Sequence, residues 1–372
     1  MADWIYEDRP QLQLHIASFQ DATFVTLTWL HTLFDALGRN ALLRAWTMMI
    51  DGREDEVPEF YGYDFDPLAS LGSPESAKLE EKPEKSVLEG RELSTWQLIR
   101  FGFSMMWEFF IYREEDQRGI CIPQSLFVKL RQAALEDLAS APPDTVTMDS
   151  RDPAHPTPFL SDGDILAAWW MRLIVKSQPW SSTAPPTKTI QVQNIFGLRE
   201  LLTTTEPKLL PKGVAYVSNA ANAIHTFYSL QEVLELPLGY LAARIRKDLV
   251  IQGTRGQISA KERVSQHTLE KTGQHPLYGT GDMMLVTFSN WTKGKMYETD
   301  FRAAVVQEGG AKHEVGKPSY VHSNGVSETF PLRNAGCAVG KDLEGNYWVG
   351  GSARMGIWES IERAVKREAG RM

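Results

Sequence analysis

The chain has 372 residues and a mass of 41.9 kDa, with 42% apolar and 10% aromatic residues, enough to bury more than one core. A net charge of −8, a sequence pI near 5.6 and the absence of any lysine–arginine cluster exclude nucleic acid as an expected partner. Two cysteines, Cys121 and Cys337, cannot build a disulfide framework or a zinc site, which fits a reducing, cytoplasmic compartment, and the acidic, polar MADWIYEDRP start carries no secretory signal.

Taken in order, LQLHIASF alternates, with Leu12, Leu14, Ile16 and Ser18 on one side. Asp21 marks a turn and the β-rich run ATFVTLTWL follows, so the pair predicts a hairpin feeding a central strand. From Asp35 the period changes to 3.6, and Leu37, Leu42, Leu43, Trp46, Met49 and Ile50 form a helical stripe. From Asp51 to Glu92 the chain is charged and rich in proline and glycine, the composition of a partly mobile connecting segment. Thr95 to Tyr112 is long and aromatic, but Arg100 and Glu108 interrupt it; each would cost about 2.5–3.5 kcal/mol at a bilayer centre. It predicts a buried or interdomain helix, with a helix lying at a membrane interface as the alternative, and no membrane span.

Gly119 to Pro123 reads as a short strand, and Ser125 as the cap of an amphipathic helix. After a loop with five prolines (142, 143, 153, 156 and 158), Ser161-Asp162-Gly163-Asp164 opens a helix with Trp169 and Trp170 side by side; both fit a core, or one lines a cleft. TKTIQVQNIFGLRELL and GVAYVSNAANAIHTFYSL look like strands. Helices follow from about Leu236 to Leu249 and from Ser259 to Thr272, with Ser229 capping a shorter turn. DMMLVTFSNWTKGKMYETDFRAAVV predicts a strand, a turn at Trp291–Gly294 and a second strand, and the end predicts two or three strands around Leu343–Gly345 and an amphipathic helix. Mixed strands and helices without regular βαβ alternation place the chain in the α/β (α+β) class, with mixed sheets flanked by helices.

His31-Thr32-Leu33-Phe34-Asp35 lies where strand gives way to helix, a place that can hold a side chain rigidly at a cleft edge. The spacing alone also fits a helix-terminal salt bridge, a satisfied core histidine, or half of a metal site, the last lacking neighbouring ligands. No G-x-S-x-G nucleophile motif is present, and Gly279-Thr280-Gly281 lacks the third glycine and setting of a dinucleotide loop. Asn290-Trp291-Thr292 is a glycosylation sequon without the secretory signal that would expose it to modification.

His31 to Asp35 with Gly38 resembles the first signature of the HxxxD, or BAHD, acyl-CoA-dependent acyltransferases, particularly their fungal members. Asp300-Phe301-Arg302-Ala303-Ala304 resembles the second, Asp-Phe-Gly-Trp-Gly, with only Asp300 and Phe301 kept. SDGDILAAWWMRL, NIFGLRELL and GVAYVSNA are similar to the helix opening the second half, the arginine-bearing strand and the asparagine strand of that family, and the likeness runs over about residues 11–360.

The resemblance implies a two-domain fold of the chloramphenicol-acetyltransferase type and transfer of an acyl group, acetyl by expectation, from acyl-CoA to a small-molecule acceptor, with no permanently bound cofactor or metal. His31 would be the general base; an imidazole with an unperturbed pKa of about 6.5 suits that task. Asp35 would pair with Arg199 and Asp300 would serve the structure, while Ser289, Asn290 or Trp291 would meet the oxyanion or substrate. A condensation-type domain using carrier-protein thioesters usually has a second histidine just before the motif, where Leu30 stands here. Family members carry a substantial portion before HxxxD, but 30 residues precede His31. The expectation is therefore an incomplete first domain over residues 1–60, a crossover linker at 61–94 and a second domain at 95–372. The missing part would be lost or supplied by another chain, or the protein would have become a non-catalytic binding or scaffold protein.

Overall fold

A computed structural model describes residues 2–73, 83–149, 157–306, 315–325 and 333–370. A short helix, α1 (Ala2–Tyr6), precedes the hairpin β1 (Leu12–Ser18) and β2 (Thr23–Trp29). The hairpin pairs antiparallel, with Leu14 opposite Leu27 and Ile16 opposite Val25. It does not feed a central strand. The two strands form a sheet of their own, and Leu14 and Ile16 are 49% and 51% exposed. Period-two alternation distinguishes two faces of a strand but does not determine what covers either of them. Helix α2 (Ala36–Ile50) follows, with Leu43 and Met48 buried and Met49 exposed.

The connecting segment is more firmly held than its composition predicts. Leu68 and Leu71 pack with Leu198, Leu202, Leu210 and Ile258 in a second apolar cluster. Leu88 and Leu93 are also buried, and the Leu93 amide bonds the Leu277 carbonyl at 2.8 Å. Residues 74–82 of the segment, and Pro153 and Pro156 of the proline-rich loop, lie outside the described residues.

Helix α3 (Thr95–Ile111) corrects a second expectation. It is capped by Ser94 and Gln97, but none of its residues is buried, and Trp96, Phe103 and Trp107 are 80%, 65% and 68% exposed. Helical periodicity marks an apolar face without naming its partner. The helix is tied down at its ends, by Arg100 to Asp282 at 2.8 Å and by Arg333, which pairs with Glu115 and sits 4.3 Å from the Phe109 ring. Among the described residues no helix is long and apolar enough to cross a membrane.

The remaining elements build one layered body. They are β3 (Glu115–Ile122), α4 (Gln124–Leu138), α5 (Asp162–Lys176), β4 (Thr189–Gly197), α6 (Arg199–Thr204), β5 (Ala221–Ser229), α7 (Leu230–Glu235), α8 (Leu238–Gln252) and α9 (Arg255–Thr272), then β6 (Met284–Asn290), β7 (Ala335–Lys341), β8 (Tyr347–Arg354) and α10 (Ile357–Gly370). Pro123, not Ser125, stands at the start of α4, whereas Ser161 and Ser229 cap α5 and α7 with full capping boxes. The segment after Gly294 makes short 3₁₀ turns at Met296–Glu298 and Arg302–Ala304 where a second strand is predicted.

Six strands pair in the order β3-β8-β7-β6-β4-β5; β7, β6 and β4 are mutually parallel and the other pairs antiparallel. One face carries Val192, Val286, Phe288 and Ala338 into a core closed by α4, α5, α8 and α10. Both Trp169 and Trp170 are buried; Trp170 packs wholly in the core, while Trp169 edges a surface pocket with Arg172, Leu173 and Arg367. Trp170 lies on the sheet where Gly336 and Gly351 pass beneath it; a Cβ at Gly336 would stand 2.2 Å from its Nε1. The other face presents Gln193, Thr287 and Ala335 in one row and Ile195, Ser289 and Cys337 in the next.

Candidate active site

The chain leaves β2 through a tight turn in which the Leu33 amide bonds the Leu30 carbonyl at 2.9 Å. His31 and Thr32 are exposed on this turn. Trp29 supports it from one side, its ring 5.3 Å from Phe34 and its Nε1 donating to the Phe34 carbonyl at 3.2 Å. Asn219 supports it from the other, its Nδ2 donating to the His31 carbonyl at 2.8 Å. The two supports, Trp29 and Asn219, are 190 positions apart, so the place of His31 is set by tertiary structure.

Asp35 is the anchor. It stands at the N-cap of α2 in extended backbone, and its Oδ1 accepts from the amides of Leu37 and Gly38 at 3.0 and 2.8 Å. Arg199 closes on the same carboxylate with Nη1 to Oδ2 and Nη2 to Oδ1, both at 2.9 Å, and the Ala220 amide adds a bond to Oδ2 at 2.9 Å. Arg199 also donates to the carbonyls of Tyr216 and Ser218. It opens helix α6 and does not lie on a strand, because β4 ends at Gly197. Burial alone would raise the Asp35 carboxyl, but the bond and charge of Arg199 and the amides of Ala220 and Gly38 hold it below its usual value.

Gly38 explains the closeness of the packing. A Cβ there would lie 1.8 Å from the Val217 carbonyl oxygen, so the first turn of α2 can rest on the 216–220 segment only with glycine at that position. Leu37 meets Gly197 at the end of β4, and Asn40 faces Gly294 beyond β6. Helix α2 therefore lies across the C-terminal ends of two parallel strands.

Three residues at the end of β6 were candidates for contact with the reacting group, and the structure separates them. Asn290 is turned away: its Nδ2 lies against Gly163 at the start of α5, and its Oδ1 accepts from the Thr292 amide and hydroxyl at 3.0 and 2.7 Å. Trp291 spends its Nε1–H on Ser289 Oγ at 2.8 Å. Ser289, on the open sheet face, accepts that bond, and among the described residues no acceptor takes its own hydrogen. Asp300 is exposed and bonds the Arg302 amide of its own turn at 2.9 Å; it is Phe301 that reaches α2, its ring 5.1 Å from Trp46.

Sequence reading missed Arg39. It is buried beside Trp29, Trp291 and Cys337, and an isolated arginine within a helical stripe carries no signal of that. Burial pushes the Cys337 thiol up, against the pull of Arg39, which keeps it a neutral thiol and a poor nucleophile. Among the described residues no cluster of histidine, cysteine, aspartate or glutamate could hold a metal ion.

The chain is 34% identical over 370 residues to the acetyltransferase adrJ of Penicillium rubens, covering 98% of this chain and 70% of the relative. It is 32% identical over 376 residues to the O-acyltransferase pboC of Aspergillus ustus, covering 98% and 72%. The chain belongs to the fungal acyl-CoA-dependent O-acyltransferases of the HxxxD, or BAHD, type. Another relative, at 35% identity over 371 residues and 98% and 70% coverage, is named transcriptional regulator calD, of Penicillium decumbens. No family model matches the chain. Among solved structures, F. sporotrichioides TRI101 complexed with coenzyme A and T-2 matches with a TM-score of 0.66 at 16% identity, over 95% of this chain and 68% of that one. Vinorine synthase matches at 0.56 and 15%, over 94% and 64%. These two share the BAHD fold with this chain.

Proposed function

We propose that this chain transfers an acyl group, acetyl as in the names of several relatives, from acyl-CoA to a hydroxyl or amine of a small secondary metabolite, with His31 as general base. The observation that carries the proposal is the anchored turn. Asp35, Arg199, Asn219 and Trp29 hold its backbone, and among the described residues no group hydrogen-bonds the His31 imidazole. The imidazole would take the acceptor's proton as its oxygen or nitrogen attacks the thioester carbonyl. The tetrahedral intermediate then expels the CoA thiolate, which takes that proton from the imidazolium. No acyl-enzyme is required, in keeping with the neutral Cys337 thiol.

Ser289 is the best oxyanion donor of the three candidates: it stands on the open sheet face and among the described residues no acceptor takes its hydroxyl hydrogen, whereas Trp291 gives its N–H to Ser289 and Asn290 Nδ2 lies against Gly163. Asp35, Arg199 and Asp300 serve as supports. Residues 1–60 would belong to the first acyltransferase domain, 61–94 to the crossover and 95–372 to the second domain. A non-catalytic binding role is the competing reading, favoured by the relative named as a transcriptional regulator. Incubation with acetyl-CoA and a panel of alcohols and amines, with titration of released thiol, separates the two. Release that disappears in His31→Ala supports transfer. A folded protein that releases no thiol with any acceptor supports the binding role.

A further inference from the structure

Arg39 lies one helical turn beyond Asp35, with 4% of its surface exposed. Among the described residues its Nε and Nη2 have no hydrogen-bond partner, although such a group is costly to bury unpaired. Its guanidinium stands 4.8 Å from the ring of Trp291 and 5.6 Å from that of Trp29. The carboxylate at the N-cap of α2, Asp35, is already engaged by Arg199. A planar cation between two indoles is a stacking element; it holds ring planes in a way that a lysine or an aliphatic chain does not.

Trp291 connects this stack to the reaction centre. Its Nε1 donates to Ser289 Oγ at 2.8 Å, and a hydroxyl that receives a bond on one lone pair has its single hydrogen restricted to the remaining directions. We propose that Arg39 is a positioning residue: by stacking on Trp291 it keeps the indole N–H on Ser289, and so aims the Ser289 hydroxyl at the developing oxyanion. This rests on the assignment of Ser289 above. The guanidinium, with no carboxylate bonded to it among the described residues, also leaves positive potential on that side of the site, where negative charge would form.

The test uses Arg39→Met, Arg39→Lys, Trp291→Phe and Ser289→Ala in the full chain, read by thiol release from acetyl-CoA and by NMR of ¹⁵N-labelled indoles. The Trp291 indole resonance is the one missing from Trp291→Phe. Arg39→Met should lower kcat by about tenfold to a hundredfold, with KM for acetyl-CoA within about twofold, as for loss of alignment of one oxyanion donor. Trp291→Phe, which keeps a ring face but no N–H, should lose a similar factor, and Arg39→Lys should fall between. In a Ser289→Ala background, Arg39→Met should cost almost nothing more. The Trp291 indole resonance should shift in both Arg39→Met and Ser289→Ala. A folded Arg39→Met with unchanged kcat and an unshifted indole would overturn the proposal, as would losses that simply multiply with Ser289→Ala. If Ser289→Ala keeps full activity, the oxyanion assignment fails and takes the catalytic half of the proposal with it. Should no acceptor support turnover, or Arg39→Met not fold, the indole shifts in Arg39→Lys and Ser289→Ala decide whether Arg39 holds Trp291.

Discussion

Replacing Asp35 by alanine removes three supports of one loop at once: the cap on α2, the paired bonds to Arg199 and the bond from the Ala220 amide. Side chains of Asp35 and Arg199 are only 12% and 19% exposed, so water replaces little of what is lost. Breaking a buried pair costs about 3–5 kcal/mol, and the lower end applies because Arg199 keeps the carbonyls of Tyr216 and Ser218. Loss of the cap adds about 1 kcal/mol, for a total of about 4 kcal/mol. Urea unfolding at pH 7 measures it. Asp35→Asn should cost less than Asp35→Ala, since an amide oxygen can still cap the helix. Asp35→Ala combined with Arg199→Met should be more stable than the sum of the single losses predicts, because the orphaned cation is gone. The carboxyl's lowered pKa adds a sign. The pair's contribution is present above the unfolded value near 3.9 and is lost as pH falls through the lower folded value. A loss under about 1 kcal/mol for Asp35→Ala would refute the anchor. So would full stability with lost activity, which would make Asp35 a participant in the chemistry.

Gly38→Ala should destabilise by about 1–3 kcal/mol or more, because the new methyl meets the Val217 carbonyl 1.8 Å away; an unchanged unfolding midpoint would contradict the packing. His31→Ala, on an exposed turn, should leave stability within about 0.5 kcal/mol while abolishing thiol release, as paired denaturation and activity assays would show. His225 is buried beside Gln191, and burial, with Lys261 nearby, pushes its pKa down to about 3. It folds neutral, so its contribution is present above the unfolded value near 6.5 and is lost as pH falls toward 3. Between pH 7.5 and 5.5 that is about 1.4 kcal/mol, and the slope should flatten in His225→Gln; an unaltered slope would show that another group titrates.

Much of the site was legible because its parts are local. The HxxxD spacing, the change of period at Asp35 and the serine caps at Ser161 and Ser229 are interactions within a few residues, which sequence records directly. The Asp35–Arg199 pair spans 164 positions and came from family resemblance, not from any pattern in this chain. Among Ser289, Asn290 and Trp291 the sequence had no means of choosing. Strand alternation separates Ser289 from Asn290 in principle, but which face is open depends on where α5 and α2 pack.

The sequence by itself determined the mixed class, the hairpin and the helices opened by Ser161 and Ser229, because each follows from hydrogen bonds and periodicities a few residues long, while the motif was identified by family resemblance. Only the tertiary structure decided which apolar faces were covered. The hairpin and α3 carry the same patterns as buried elements yet remain exposed, since periodicity specifies a face and never its partner. It also decided that Arg39, unremarked in the chain, sits desolvated between Trp29 and Trp291, because burial of a cation is set by neighbours that lie far away in sequence.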